Sequence, residues 1–149
     1  MKPKKLSNKH ETFIAESLGG KTVIASGALY FAKGDVVTDD YLIECKATEK
    51  DYYILKGKIL SKIENEALKC NRIPLLAIRV KDKDYIAYKA YDFYNYYNEI
   101  DVLDCKESSK LSVDILNYID IGYLYLYRFN GGAVWQITRL EDFKEVAVI

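Results

Sequence analysis

Apolar positions along this chain follow two rhythms, one with a period of about 3.6 residues and one with strict alternation. From Asn8 to Leu18, the placement of Phe13, Ile14 and Leu18 predicts a helix. Asn8 can cap that helix, with Glu11 three residues on as its capping-box partner, and Gly19-Gly20 ends it. Lys21 to Ser26 reads as a strand with β-branched Val23 and Ile24, and Gly27 opens a turn. Gly34 to Val37 is a second strand, Thr38-Asp39-Asp40 a turn, and Tyr41 to Ala47 a third strand. The longest helical pattern runs from Ile54 to Cys70, with Ile54, Leu55, Ile59, Leu60, Ile63, Ala67 and Leu68 at helical spacing. Ile73 to Ile78 is almost continuously apolar, as expected of a strand buried on both faces. Lys81 to Asp84 then turns the chain into a hairpin partner at Tyr85 to Lys89.

The resulting order, αβββαβ, places a helix between the third and fourth strands, a crossover that puts both in one sheet. Further on, Lys110 to Val113 reads as a strand and Asp114 to Tyr118 as a short helix. Gly122 to Phe129 and Ala133 to Thr138 read as a hairpin around Asn130-Gly131-Gly132. Arg79 to Phe93 and Arg128 to Phe143 echo one another: each runs strand, turn, strand, and then Asp-Phe opening a short helix. The expectation is a single domain over residues 1–149, with a core over about 7–90 and an extension over about 91–149 packed on it, completing the fold and covering sheet edges.

Composition narrows the function classes. Half the 149 residues are apolar and 30% are charged, as in a soluble folded protein. The fourteen tyrosines fall largely in alternating patterns and suit half-buried strand surfaces, with base stacking as a second use. The net charge is zero but uneven: residues 1–90 hold 17 Lys/Arg against 12 Asp/Glu, and residues 91–149 hold 5 against 10. The basic excess on the first part hints at a nucleic-acid face. Cys45, Cys70 and Cys105 form no CxxC pair, which argues against a zinc site and a disulfide framework and for a reducing cytoplasm. His10 is the only histidine, so nothing supports a Ser-His or Cys-His triad. The basic start, Met1 to Lys5, lacks an apolar segment, and no apolar run reaches membrane-spanning length.

The residues that carry chemistry lie in Lys33-Gly34-Asp35 and Ile43-Glu44-Cys45-Lys46. Strand alternation turns Leu42, Glu44 and Lys46 to one face and Tyr41, Ile43, Cys45 and Ala47 to the other. Asp35, from the preceding strand, is close enough in sequence to come beside Glu44. Two carboxylates near a partly buried spot repel unless a cation sits between them. Hard oxygen donors without His or Cys suit Mg²⁺ or Mn²⁺. Such an ion would polarise a phosphate and activate water for in-line attack. Lys46 would then orient the water or stabilise charge on the phosphate. Glu11 can add a third acidic group, although a capping box explains it as well. An exposed Glu-x-Lys pair is by itself usually a solvated strand edge; the order and spacing of the whole set point to a nuclease.

Ser26-Gly27, Lys33-Gly34-Asp35, Tyr41 to Thr48 and Arg72 to Val80 together resemble the archaeal-type Holliday junction resolvases and their phage-encoded relatives, within the PD-(D/E)xK nucleases. The similarity covers roughly residues 7–90. It implies an α/β fold with a restriction-endonuclease-like core, a central mixed β-sheet flanked by helices, and extra β/α elements at the C-terminus. It implies Asp35 and Glu44 as metal-binding carboxylates, Lys46 as the motif lysine, and Glu11 as the acidic residue of the helix. The Cys45 backbone carbonyl would be a further metal ligand and Ser26 a serine near the scissile phosphate. A homodimer acting on four-way DNA in the cytoplasm is also implied, since paired nicks need two active sites on one two-fold axis. Two arginines of the archaeal enzymes are replaced here by Thr12 and Ala25, which leaves Lys9, Lys21 and Lys33 as candidate phosphate contacts. The alternatives are another PD-(D/E)xK nuclease acting on duplex or flap DNA, and a non-catalytic DNA-binding protein.

Overall fold

In a computed structural model, the described residues are 3–23, 34–93, 106–108, 110–114, 125–129 and 132–147. Among them the elements are α1 (Pro3–Leu18), β1 (Lys21–Thr22), β2 (Val36–Val37), β3 (Tyr41–Thr48), β4 (Tyr52–Lys56), α2 (Gly57–Lys69), β5 (Ile73–Val80), β6 (Lys83–Lys89), α3 (Ala90–Phe93), β7 (Lys106–Ser108), β8 (Lys110–Asp114), β9 (Tyr125–Phe129), β10 (Val134–Arg139) and α4 (Leu140–Ala147). Ser26, Lys33, Gly27, Asn130-Gly131 and the stretch 115–118 expected to be helical lie outside the described residues.

The fold is α/β, with a mixed central sheet flanked by helices. Eight strands run in the order β1-β2-β3-β5-β6-β10-β9-β7. The crossover through α2 makes β3 and β5 parallel in a continuous ladder from Tyr41↔Ile73 to Thr48↔Val80. β5 and β6 form the expected hairpin, tightened to a two-residue turn at Lys81-Asp82. β9 and β10 are antiparallel, and β10 also pairs with β6 from Arg139↔Tyr85 to Trp135↔Lys89. Among the described residues beyond 91, β7, β9 and β10 are therefore hydrogen-bonded into the same sheet, and β6 is an interior strand.

Two apolar layers follow from strand alternation. Tyr41, Ile43, Leu75, Ala77, Ile86 and Tyr88 pack under α1 and α4 through Ile14, Leu18, Leu140 and Phe143. Leu42, Leu76, Ile78, Tyr85 and Ala87 pack on the opposite face against Leu60, Ile63 and Ala67 of α2, with Leu55 and Val113 of the β4–β8 ribbon. The Asp-Phe echo has a physical outcome: Phe93 and Phe143 meet edge to face at 5.5 Å, and both touch Tyr88.

The first two strands are shorter than the sequence reading, β1 ending at Thr22 and β2 beginning at Val36, and both long helices start elsewhere. α1 begins at Pro3, a residue suited to a first helical turn because it has no amide hydrogen to leave unpaired. Asn8 is thus inside the helix, its carbonyl accepting the Thr12 hydroxyl at 3.0 Å, and it caps nothing. The helix expected from Ile54 starts at Gly57, because Tyr52–Lys56 pairs with β8 in a separate two-stranded sheet. Tyr53 and Leu55 turn inward while Tyr52, Ile54 and Lys56 are exposed, the alternation of a strand. Among the described residues no helix is long and apolar enough to cross a membrane.

The end of α2 fixes where β5 begins. Asn71 takes a left-handed conformation (φ 56°), and its N–H donates to the Leu68 carbonyl at 3.3 Å while the Arg72 N–H donates to that of Ala67 at 2.9 Å. This is a Schellman closure with asparagine where glycine is commonest. The Arg72 guanidinium then ties the turn to the Thr38 carbonyl at 2.8 Å. Asn71→Gly is expected to leave thermal stability unchanged or raised. Asn71→Ala should cost about 1 kcal/mol, read by thermal unfolding, because a Cβ without a compensating polar group is disfavoured there.

Candidate active site

The site begins where β2 stops. β2 pairs with β3 only at Val37↔Leu42 and Val36↔Ile43; the register does not continue, because Asp35 bonds to Ile43, the residue Val36 already faces. Asp35 is clamped by its backbone: its N–H donates to the Ile43 carbonyl at 2.8 Å, and its carbonyl accepts the Val23 N–H at 3.0 Å. Its side chain continues the job of the ladder, Oδ2 accepting the Cys45 N–H at 2.8 Å. Gly34 allows this approach. A Cβ there would sit 2.9 Å from Leu42 Cγ and 3.1 Å from the Ile43 carbonyl oxygen. The Gly-Asp pair is thus dictated on both residues, by close packing at the first and by an acceptor at the second.

Glu44 lies on the α2 side of β3 and is only 6% exposed, so the solvated-edge reading of Glu-x-Lys does not hold here. Its Oε1 is 3.6 Å from Lys46 Nζ and 3.8 Å from Lys62 Nζ, both on side chains that are largely exposed. Burial raises the Glu44 carboxyl above its ordinary value and Asp35 adds to this; Lys62 and Lys46 pull it back, and Glu66 pushes it up again. Tyr53, from β4, is raised by burial and by the Glu44 charge, which places it around the same carboxylate.

Glu11 comes from the other face of the sheet. With α1 starting at Pro3, Glu11 is in mid-helix, and the capping-box explanation for it is gone. Burial raises its carboxyl, followed by the charges of Asp35 and Glu44. Cys45 reports the same convergence: burial pushes its thiol well up, and Asp35, Glu11, Glu44 and Asp84 all add. Three of the expected acidic groups, Glu11, Asp35 and Glu44, therefore share one electrostatic neighbourhood, with Lys46 beside Glu44. Lys9 and Lys21 are exposed on α1 and β1.

The neighbour of Glu11 holds α1 in place. His10 is buried, with Nε2 3.4 Å from Asp84 Oδ1. Asp84 also receives a two-pronged bond from Arg79, at 2.9 and 2.7 Å, across the β5–β6 hairpin. Burial would raise the Asp84 carboxyl, but the adjacent His10 ring and the two Arg79 donors overcome this and hold it below the usual range. The Arg79 guanidinium lies 4.6 Å from the Phe13 ring centroid, a second tie to α1. His10 is thus an anchor for the helix that carries Glu11.

Among the described residues, no group of three or more His, Cys, Asp or Glu side chains is gathered tightly enough to hold a metal ion. Asp35 and Glu44 nevertheless fit the way Mg²⁺ is commonly held, through one or two carboxylates, with water and substrate phosphate completing the shell. Lys62, Glu66 and Tyr53 were not singled out in the sequence. The spacing of α2 does put Lys62 and Glu66 four residues apart on one side, but only packing shows which side meets Glu44.

No family model, no curated protein and no solved structure matches this chain.

Two outcomes are expected. Because the folded Glu44 carboxyl titrates above its ordinary value of 4.5, stability is full below that pH. It falls as pH rises through the folded value and stays lowered above it. Glu44→Gln should therefore melt above the wild type at neutral pH in EDTA, with the difference shrinking toward pH 4.5. Gly34→Ala should cost about 1–3 kcal/mol by overpacking against Leu42 and lose the Asp35 geometry, measured by chemical unfolding.

Proposed function

We propose that this chain is a divalent-metal-dependent nuclease of the PD-(D/E)xK kind, with a restriction-endonuclease-like core, acting on branched DNA. The observation that carries the reading is Asp35, bonded through Oδ2 to the Cys45 N–H, beside a buried Glu44 whose carboxylate lies 3.6 Å from Lys46 Nζ. The order α1-β1-β2-β3-β4-α2-β5, with β3 parallel to β5 and the acidic pair at the end of the β2–β3 ladder, is consistent with it. Burying an ionisable carboxylate beside another one is costly unless its charge has a use, and such perturbed groups gather at functional sites.

Each group has a task in this reading. Asp35 and Glu44 would hold Mg²⁺ or Mn²⁺, with the Cys45 carbonyl as the further ligand that the family resemblance implies. A bound ion would supply charge neutralisation at the scissile phosphate and a more acidic water. Lys46, on the same strand face as Glu44, presents its ammonium to the phosphate oxygens and stabilises the charge that builds there. Glu11, its carboxyl raised by burial and then by Asp35 and Glu44, would hold or accept a proton from a water on the α1 side. Recognition of four-way DNA would rest on backbone contacts more than on base readout, and paired nicks would require a homodimer.

The test is cleavage of a synthetic four-way junction, with linear duplex and flap controls, in Mg²⁺ and in EDTA. Wild type is expected to leave paired nicks near the crossover in Mg²⁺ only. Glu44→Gln and Asp35→Asn should lose at least 10²-fold in rate, the scale of removing one electrostatic stabiliser. Mg²⁺ or Mn²⁺ should also raise the melting temperature of the wild type and leave that of Glu44→Gln unmoved. Equal cutting of linear duplex would keep the nuclease and remove the junction preference. No cutting by folded, Mg²⁺-saturated protein would overturn the reading.

A further inference from the structure

Helix α2 packs its apolar stripe on the sheet and shows solvent Lys58, Ser61, Lys62, Asn65, Leu68 and Lys69. Lys58, Lys62, Asn65 and Lys69 fall at i, i+4, i+7 and i+11, so they line up along one side of the helix. The span from Lys58 to Lys69 is roughly 17 Å at the helical rise of about 1.5 Å per residue. No acidic residue interrupts the exposed side. The two glutamates of α2 are half-buried: Glu64 is taken by Lys89 at 3.0 Å, and Glu66 lies toward Glu44 with one carboxylate oxygen buried.

A helix made soluble by charge alone mixes its signs, with glutamates four residues before lysines on the open face. Here the negative charges turn inward and the positive ones outward. The stripe also has a direction, because Lys62 reaches to 3.8 Å from Glu44 Oε1 while its side chain is 59% exposed. It therefore joins open solvent to the most buried carboxylate of the site. A row of ammonium groups of this length matches a run of phosphates: duplex DNA carries one charge per about 1.7 Å of axis.

We infer that Lys58, Lys62 and Lys69 form the track along which the DNA sugar–phosphate backbone lies across the site, with Lys62, between the other two, the contact nearest the scissile phosphate. The identity of the polyanion rests on the nuclease reading. Lys62 shares Glu44 with Lys46, so two ammonium groups from different elements face one phosphate position. It would act as a phosphate-binding and transition-state-stabilising group alongside Lys46. The track lies on the α2 face of the sheet, across from Lys9 on α1, so DNA would be gripped from both faces around the β2–β3 edge.

The experiment measures binding of a fluorescent four-way junction, and of a linear duplex, by anisotropy over a salt series in EDTA, where no cutting interferes. Each lysine that contacts a phosphate contributes about one unit to the slope of log affinity against log salt. The Lys58→Ala/Lys62→Ala/Lys69→Ala variant should lose about three units, Lys62→Ala about one, and Lys144→Ala on α4 none. Lys62→Arg should restore the slope. In Mg²⁺, Lys62→Ala should raise KM and lower kcat together, whereas Lys58→Ala and Lys69→Ala should move KM alone. An unchanged slope in the triple variant, an equal loss in Lys144→Ala, or no binding by wild type would overturn the track. A slope carried by α2 in a protein that cuts nothing would keep the track and remove the nuclease; cutting with an unmoved slope would do the reverse.

Discussion

A carboxylate on a strand with apolar layers on both faces carries a desolvation cost that its surroundings must offset. Glu44 is that carboxylate, and much of the site can be understood as the response to it. The lysines offset it only in part, since ammonium groups at 3.6 and 3.8 Å on exposed stems bring little Coulomb energy through solvent. Asp35 and Glu66 make matters worse, because each raises the Glu44 carboxyl further. A sequence shaped for stability alone would put an apolar residue at this position, as it does at Leu42 two residues earlier on the same face. Keeping an acid here leaves unfavourable electrostatics in the fold, which a cation would relieve under the proposed function.

What prevents that stored repulsion from splaying the strands is their attachment. β3 is bonded along its whole length to β5, so Glu44 and Lys46 ride on an interior ladder of the sheet. Asp35 is fixed through its N–H, its carbonyl and its carboxylate, and Gly34 removes the one side-chain atom that would push it away. On the far side, His10, Asp84 and Arg79 pin α1 against the β5–β6 hairpin one residue from Glu11. The acidic groups come from three separate elements, each with its own anchor. Positioning is therefore settled before any ligand arrives, which is the condition for electrostatic catalysis without reorganisation.

The sequence revealed most where short apolar runs stand between clear turns. Tyr41–Thr48, Ile73–Val80 and Lys83–Lys89 each carry an apolar pattern that allows little else, and the crossover between β3 and β5 followed from them. Asp35, Glu44 and Lys46 were legible for the same reason, since strand geometry fixes which residues share a face. Elements whose state depends on a distant partner were not. Ile54 and Leu55 are in phase with the helix after them, and only pairing with Lys110–Asp114, more than fifty residues later, makes them a strand. Asn8 and Glu11 satisfy a capping box on paper, but the helix extends back to Pro3 and makes the motif accidental. Lys62, Glu66 and His10 belong to the same class: their spacing allows many faces, and the packing of α1 and α2 selects one.

Asp35 shows how fold and chemistry become the same requirement. If β2 continued its ladder past Val36, a backbone carbonyl would meet the Cys45 N–H and cover the edge of β3 beside Glu44. The strand instead ends after two residues, and a carboxylate oxygen takes over as acceptor at 2.8 Å. This substitution satisfies the buried donor as well as a carbonyl would, while it leaves the edge open and brings a negative charge near Glu44. An asparagine would fill the acceptor role without the charge, and a longer strand would fill it without the opening. Only an acidic residue after a glycine at the end of a truncated strand supplies all three, and that is what Gly34-Asp35 does.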